Sequence, residues 1–159
     1  MTVEVVPDTD PLSLEQQVCF ALAVTNRAVL AVYRPLLESL GLTHPQYLVM
    51  LALWEHRKES TSPLSVKRIG STLQLDSATL SPMLKRLEAL GLVTRARSVA
   101  DERTTDIALS EAGIALRERA LAIPPAVVAR LGVELAELDE LHRVLTRVNA
   151  AALAAGALR

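Results

Sequence analysis

The chain has 159 residues, half of them hydrophobic, and a net charge of −1. This length suffices for one domain with a sizeable core, and the near-neutral charge excludes a uniformly basic polymer-binding protein. Aromatic residues make up only 3% of the chain, which argues against binding of single-stranded nucleic acid by base stacking. The single cysteine cannot form a disulfide within the chain.

The N-terminal sequence predicts a soluble, cytoplasmic protein without membrane contact. Residues 1–8 lack the basic and long apolar segments of a signal peptide. The longest uncharged stretch, residues 40–54, contains Pro45 and is too short to span a bilayer. We expect residues 1–12, with two prolines, to form a flexible tail and residues 13–159 to form a single domain.

Two helices are predicted in the first part of this domain. Residues 13–16 match a capping box, so a helix should begin there and place Cys19 on its second turn. Pro35 should kink or end this helix, and Gly41 should end its continuation. A second capping box at residues 43–46 starts a helix that is apolar nearly all round, which is typical of the centre of a core.

A helix-turn-helix is predicted next. Ser65 caps a short helix, and a turn around residues 73–75 leads to a second helix that Asp76 caps. Pro82 conflicts with a regular helix interior. The second helix could therefore also begin at Ser81, with Pro82 in its first turn.

The second of these helices has the character of a DNA-reading helix. Leu80, Leu84 and Leu87 recur at spacings of four and three, so they share one buried face. Small hydroxyl side chains followed by cations cover the rest, a pattern that suits a DNA major groove. The candidate DNA contacts on this helix are Ser77, Thr79, Ser81, Lys85 and Arg86.

Charge is distributed unevenly along the chain. Residues 65–105 carry seven basic and four acidic side chains, a net charge of +3 that leaves −4 for the remainder. A local basic region on an acidic protein is typical of a DNA-binding face. Taken alone, the same pattern also fits ordinary surface charge.

A β-hairpin should follow the helix-turn-helix as a wing. Residues 93–97 and 105–109 alternate as two strands, and Asp101 and Arg103 lie near the tip of the loop between them. Ser110 then caps a helix, which the two prolines at positions 124 and 125 interrupt.

A last helix is predicted over about residues 134–155. Its apolar stripe consists of Leu138, Leu141, Leu145, Val148 and Ala152. The stripe could pack on its own domain, but we favour a dimer interface formed with the N-terminal helix. Two reading helices would then face successive half-sites of a palindromic operator, about 34 Å apart.

The predicted fold is therefore mainly α, a winged helix-turn-helix of six helices with a two-stranded β wing. We expect a homodimer formed by the N- and C-terminal helices, about residues 13–44 and 110–159. Residues 45–109 should form the DNA-binding part.

The order of these elements resembles the MarR family of winged-helix repressors, and several segments are similar to its organic-hydroperoxide-sensing branch, the OhrR regulators. The segments that carry the resemblance are Val18 to Leu22, Tyr33 to Leu37, Leu42 to Leu48, Leu53 to Glu55, and Leu75 to Pro82. The resemblance as a whole covers roughly residues 14–122.

For DNA binding, the resemblance implies a recognition helix in the major groove and Arg103 in the adjacent minor groove. Asp101 would steady the wing, through Arg95. Ala78 stands where the branch commonly has a glycine in the recognition helix.

For sensing, the resemblance implies that the thiolate of Cys19 reacts with peroxide while tyrosine hydroxyls, partly from the partner subunit, hold it. Tyr33 occupies one tyrosine position, His44 stands where the branch usually has a second, and Ala23 replaces a third aromatic residue. His44 could donate a hydrogen bond to the thiolate or, if protonated, stabilise it by charge. It could also be a solvent-exposed residue of the capping turn.

These features predict a repressor that leaves its operator when an organic hydroperoxide oxidises Cys19 to a sulfenic acid, which a low-molecular-weight thiol then converts to a mixed disulfide. An inert buried thiol is the alternative for Cys19. One alternative function is a repressor released by a non-covalent phenolic or apolar ligand, and a remote one is a thiol peroxidase. No triad, phosphate loop or metal-ligand spacing points to an enzyme, a metal or a cofactor.

Overall fold

The structure, a computed structural model, describes residues 10–157. In this range the chain forms a 3-10 turn, seven α-helices and three strands. In chain order they are the 3-10 turn Leu14–Gln16, α1 (Val18–Glu38), α2 (His44–Glu59), β1 (Leu64–Ser65), α3 (Val66–Leu73), α4 (Ser77–Ala89), β2 (Val93–Arg97), β3 (Thr105–Leu109), α5 (Glu111–Ala120), α6 (Ile123–Leu131) and α7 (Leu135–Ala154). The mainly helical winged helix-turn-helix is confirmed, while α6 and β1 were not predicted.

The start of α1 differs from the prediction. Ser13 makes no side-chain cap hydrogen bond, and Gln17 is extended, so the chain forms a short 3-10 turn before α1 begins at Val18. The side-chain amide of Gln17 donates hydrogen bonds to the Pro11 and Ser13 carbonyl oxygens and stabilises this turn. Residues 1–9 of the predicted tail lie outside the described residues.

Pro35 neither ends nor interrupts α1, which continues to Glu38. The predicted capping box at Thr43 is confirmed: its hydroxyl accepts from the Gln46 amide at 3.4 Å, and the Gln46 side chain accepts from the Thr43 amide at 2.9 Å. The helix that it starts, α2, is the central core helix as predicted.

The core lies between α2, the helix-turn-helix and the sheet. Its fully buried side chains include Met50, Ile69, Leu84 and Ile107. Burying a side chain of this size contributes roughly 1.5–3 kcal/mol, so these contacts fix the orientation of α3 and α4 relative to α2.

The wing is part of a three-stranded antiparallel sheet with the order β1-β3-β2. In β2 and β3, Val93 pairs with Leu109 and Arg97 with Thr105. The two-residue β1 pairs Leu64 with Ile107 on the other side of β3. The base of the wing is thereby attached to the start of α3.

Two long helices leave apolar surface uncovered. No residue of α7 is buried, and Leu37 is the only buried residue of α1. Val18 is 67% exposed and Leu145 37%. By length and composition alone, α1 is also apolar enough to cross a bilayer. The predicted stripe of α7 therefore does not pack into the core of its own subunit.

Candidate DNA-binding surface and cysteine site

The start of α4 is held by a predicted cap. The Asp76 carboxylate accepts a hydrogen bond from the Thr79 amide at 2.7 Å, and this bond lowers the pKa of Asp76. The alternative start at Ser81 is wrong, because Pro82 lies inside the helix. One face of α4, with Leu80, Leu84 and Leu87, is buried.

The other face of α4 is available to a partner. Ser77, Thr79, Lys85 and Arg86 are exposed, and Ser81 is half-buried. The turn that sets the angle between α3 and α4 requires a glycine, since a Cβ at Gly70 would lie 2.7 Å from the Leu75 carbonyl oxygen. Candidate DNA contacts thus lie on a helix surface that the core holds in place.

The tip of the wing is organised by Asp101. Its carboxylate accepts from the Arg103 amide at 3.0 Å, and its carbonyl accepts from the Thr104 hydroxyl and amide, both at 2.9 Å. The Arg103 side chain is exposed. Asp101 thus steadies the backbone that presents Arg103.

Arg95 does not contact Asp101, contrary to what the resemblance implies. Its guanidinium lies 3.6 Å from the Glu88 carboxylate at the end of α4. The Arg95 side chain is 25% exposed, and its Nε is buried without a hydrogen-bond partner among the described residues. Arg95 thereby joins β2 to α4 instead of supporting the wing tip.

Cys19 lies at the start of α1 rather than on its second turn. Gln17 is the cap residue and Cys19 the second helical residue. Cys19 is exposed, which contradicts the inert buried thiol within a single subunit.

The three candidate sensing residues do not meet within one chain. Cys19 and Tyr33 are 14 residues apart on the continuous helix α1, which corresponds to about 21 Å. Tyr33 and His44 do meet: their ring centroids are 5.0 Å apart in an edge-to-face arrangement. The thiol and the aromatic pair therefore lie far apart in the subunit.

Tyr47 is a third member of this aromatic cluster, and the sequence analysis did not single it out. Its ring centroid lies 6.2 Å from that of Tyr33 and 6.4 Å from that of His44. Burial, followed by the charge of Tyr33, raises the pKa of Tyr47. The three-residue spacing between His44 and Tyr47 on one helix was the signal that could have identified it.

His44 is half-buried, and burial lowers its pKa below the ordinary value. The neutral imidazole is therefore favoured at neutral pH. A neutral ring can donate one hydrogen bond, but it does not supply the positive charge considered for this position.

A cavity of about 400 Å³ lies beside His44. Its lining combines apolar residues with polar and charged ones: Leu30, Leu37, Leu42 and Pro45 with Arg34, Glu38 and Thr43. Its volume falls in the range of small-molecule sites. Between residues 10 and 157, no group of three or more histidine, cysteine, aspartate or glutamate side chains could hold a metal ion.

The comparisons with known proteins agree with this geometry. The sequence pattern of the family described as transcriptional regulator SarA/Rot matches residues 31–119. The organic hydroperoxide resistance transcriptional regulator of Bacillus subtilis is 48% identical over 119 residues, 75% of this chain and 78% of the relative. The HTH-type transcriptional regulator TtmR of Methylorubrum extorquens is 45% identical over 147 residues, 90% of this chain and 73% of the relative.

Among solved structures, reduced AbfR bound to DNA superimposes with a TM-score of 0.73 and 36% identity, over 87% of this chain and 91% of that chain. AbfR is a protein of Staphylococcus epidermidis. Its overoxidised form bound to DNA matches with a TM-score of 0.66 at the same identity, over 85% of this chain and 94% of that one.

Proposed function

Because the chain belongs to the SarA/Rot and MarR-type family of winged-helix transcriptional regulators, we propose that it represses its targets as a homodimer until an organic hydroperoxide oxidises Cys19. It is a DNA-binding regulator and not an enzyme. We infer that it acts in the cytoplasm, where it binds a palindromic operator. The observation that supports oxidation of Cys19 is the exposure of its thiol at the start of α1. The thiol lies about 21 Å along this helix from the aromatic cluster.

The uncovered faces of α1 and α7 support the homodimer. Twenty residues of α7 bury none of their side chains, and Leu135, Leu141 and Val148 are all at least 45% exposed. Apolar surface of this extent costs about 25 cal/mol per Å² to keep in water. A second copy covers it with a matching surface, whereas the alternative for α1, a bilayer, does not suit a DNA-binding regulator.

A two-fold axis also brings the separated sensing residues together. If the two copies of α1 pair antiparallel about Asn26, Cys19 of one subunit lies level with Tyr33 of the other. Tyr33 can then donate its hydroxyl to the thiolate, and neutral His44 can donate one ring N–H. The same pairing separates the two Cys19 residues by about 21 Å along the helix direction.

The chemistry at this site has two steps. The Cys19 thiolate attacks the distal oxygen of the hydroperoxide, the O–O bond breaks, and the alcohol leaves after taking a proton. The resulting sulfenic acid then reacts with a low-molecular-weight thiol, which forms a disulfide and releases water. The chain has one cysteine, so a disulfide cannot form within the subunit.

The adduct releases DNA by changing the dimer. A bulky group between Cys19 and the cluster of the partner subunit separates the two copies of α1 and changes the distance between the two α4 helices. Moving an equilibrium from almost fully bound-competent to almost fully incompetent requires about 5.5 kcal/mol of differential stability. Repulsion in a packed interface can supply this amount.

A cysteine introduced at Tyr33 tests the arrangement. Within one chain, positions 19 and 33 are too far apart for a disulfide, which needs Cα atoms within about 7 Å. Tyr33→Cys should therefore form a covalent dimer on oxidation, as seen on a non-reducing gel. Arg34→Cys is the matched control, because it lies about 100° around the helix. Equal cross-linking by both variants, or none by Tyr33→Cys, would contradict the antiparallel pairing.

The cavity beside His44 favours a second candidate function, release by a small ligand. Its apolar residues and the neighbouring Arg34 and Glu38 side chains suit a phenolic or other largely apolar small molecule. Release of DNA by such a ligand from a Cys19→Ser protein would support this candidate over the redox mechanism.

A further inference from the structure

The side of α4 opposite its buried face has an apolar centre formed by Ala78 and Pro82, here called the ridge. Leu80, Leu84 and Leu87 define the buried side of the helix. At about 100° per residue, the opposite side is centred on Ala78 and Pro82, which are one turn apart. Both side chains are exposed, so two apolar side chains occupy the centre of the surface that would face the bases.

The cations lie on either side of this ridge. Lys85 and Arg86 are consecutive, so they point about 100° apart around the axis, one on each side of the midline that runs parallel to the axis between Ala78 and Pro82. Both are exposed, and their long side chains suit the phosphates on the two walls of a groove. A helix held in this way directs its apolar ridge to the floor of the groove.

The sequence of α4 contains neither Asn nor Gln, the residues whose side chains form two hydrogen bonds with one adenine. The hydroxyls do not lie at the centre of the ridge. Thr79 and Ser81 flank it at the same helix turn, and Ser77 lies close to the buried side. In the major groove, the feature that an apolar side chain recognises is the C5-methyl group of thymine.

We propose that Ala78 and Pro82 determine operator specificity by packing against thymine methyl groups. Two thymines in each half-site, spaced to match one helix turn, are the ligands of this ridge. The inference rests on the proposed placement of α4 in the major groove. It adds which bases are read and by what contact.

The test uses thymine without its methyl group. A duplex is first selected by the full-length protein from a pool with a randomised central region. Each thymine of the selected duplex is then replaced by deoxyuridine, which keeps every hydrogen-bonding group. Replacing one contacted thymine by deoxyuridine should weaken binding about fourfold in each half-site. This is the change in affinity that corresponds to exposing one buried carbon to water. Replacements elsewhere in the duplex should change affinity less than twofold.

Protein variants link the effect to the ridge. Pro82→Ala removes the ring and relieves a helix-interior proline, so the protein remains folded. Ala78→Gly removes one methyl group at the second position of α4. Ala112→Gly is a matched control, because Ala112 is exposed and occupies the second position of α5. The preference for thymine over uracil should fall below twofold in the first two variants and remain fourfold in the control.

The outcomes separate this inference from the function on which it rests. Failure to retain any duplex would refute DNA binding and the inference with it. A retained duplex whose half-sites lack thymine, or whose affinity is insensitive to uracil, would refute the inference alone. An unchanged thymine preference in both ridge variants would assign the methyl readout to other residues and also overturn it.

Discussion

Gly113 connects three parts of the molecule, and replacing it with alanine should disrupt all of them. Its amide donates to the Ser110 hydroxyl at 3.0 Å, and its carbonyl accepts from Trp54 Nε1 at 2.9 Å. A Cβ added at Gly113 would lie 2.0 Å from the Leu92 carbonyl oxygen, whereas real Cβ atoms stay beyond 3.0 Å from such neighbours. Gly113→Ala must therefore separate the start of α5 from the start of β2 by about 1 Å.

The cost follows from the bonds that this shift breaks. A displacement of about 1 Å takes the Trp54 hydrogen bond well beyond its normal length. A buried N–H left unsatisfied costs about 1–3 kcal/mol, and loss of the Ser110 cap costs about 0.5–2 kcal/mol. The sum, about 1.5–5 kcal/mol, corresponds to a fall in Tm of roughly 3–20 °C for a chain of this size.

Thermal unfolding followed by circular dichroism measures this fall. Gly132→Ala is the control, because Gly132 has φ +63 and nothing within 4 Å of a Cβ. That change carries only the left-handed backbone cost, about 1–2 kcal/mol. If Gly113→Ala melts no lower than Gly132→Ala, the close approach of α5 to Leu92 is not part of the folded protein.

Further predictions concern charge and the dimer. Hydrogen bonding from the Thr79 amide lowers the pKa of Asp76, so this cap stabilises α4 fully above the ordinary pKa near 3.8 and is lost as pH falls through the lowered pKa; the protection of α4 amides, relative to their intrinsic exchange rates, should fall at acid pH in the natural protein but not in Asp76→Asn. Burial lowers the pKa of His44, so the unfolded state binds the proton more readily and stability should decrease as pH falls below 6.5; urea unfolding at pH 7.5 and 5.5 should show a smaller difference for His44→Gln. Arg103→Ala should weaken DNA binding and reduce the slope of affinity against salt by about one; unchanged affinity would show that the wing does not engage DNA. If the proposed homodimer forms through α7, Leu145→Glu should be a monomer in light scattering while the natural protein is a dimer; a variant that remains dimeric would exclude α7 from the interface.

Helix starts were predicted correctly from the sequence where a side chain caps the first turn. Thr43, Ser65, Asp76 and Ser110 each accept a backbone hydrogen bond three residues along, as the sequence indicated. Such bonds involve only neighbouring residues, so the sequence pattern contains the whole interaction. Ser13 has the same pattern but makes no cap bond, because Gln17 is extended and ends the first turn.

Elements that depend on distant partners were missed. The two residues of β1 form a strand only because β3 lies beside them, and no periodicity can show in so short a segment. The two prolines were read as a break, yet Pro124 and Pro125 occupy the first turn of α6, where no donor is required.

The arrangement of the candidate sensing site could be predicted only in part. The sequence identified Cys19, Tyr33 and His44, and the structure brings the two rings together while leaving the thiol on a distant turn of α1. Tyr47 was not singled out because it lies on a helix that is apolar nearly all round, where a buried aromatic residue is expected in any case. The spacing of residues along one chain does not show which side chains of a second copy would lie beside Cys19.

The proposed function requires that the oxidation state of Cys19 controls DNA binding. Fluorescence anisotropy of a labelled operator duplex, with cumene hydroperoxide and free cysteine as the low-molecular-weight thiol, tests it for the natural protein and Cys19→Ser. We expect both proteins to bind equally before oxidation, and only the natural protein to release DNA afterwards. Release by Cys19→Ser at the same peroxide concentration, or retention by the natural protein, would contradict the account.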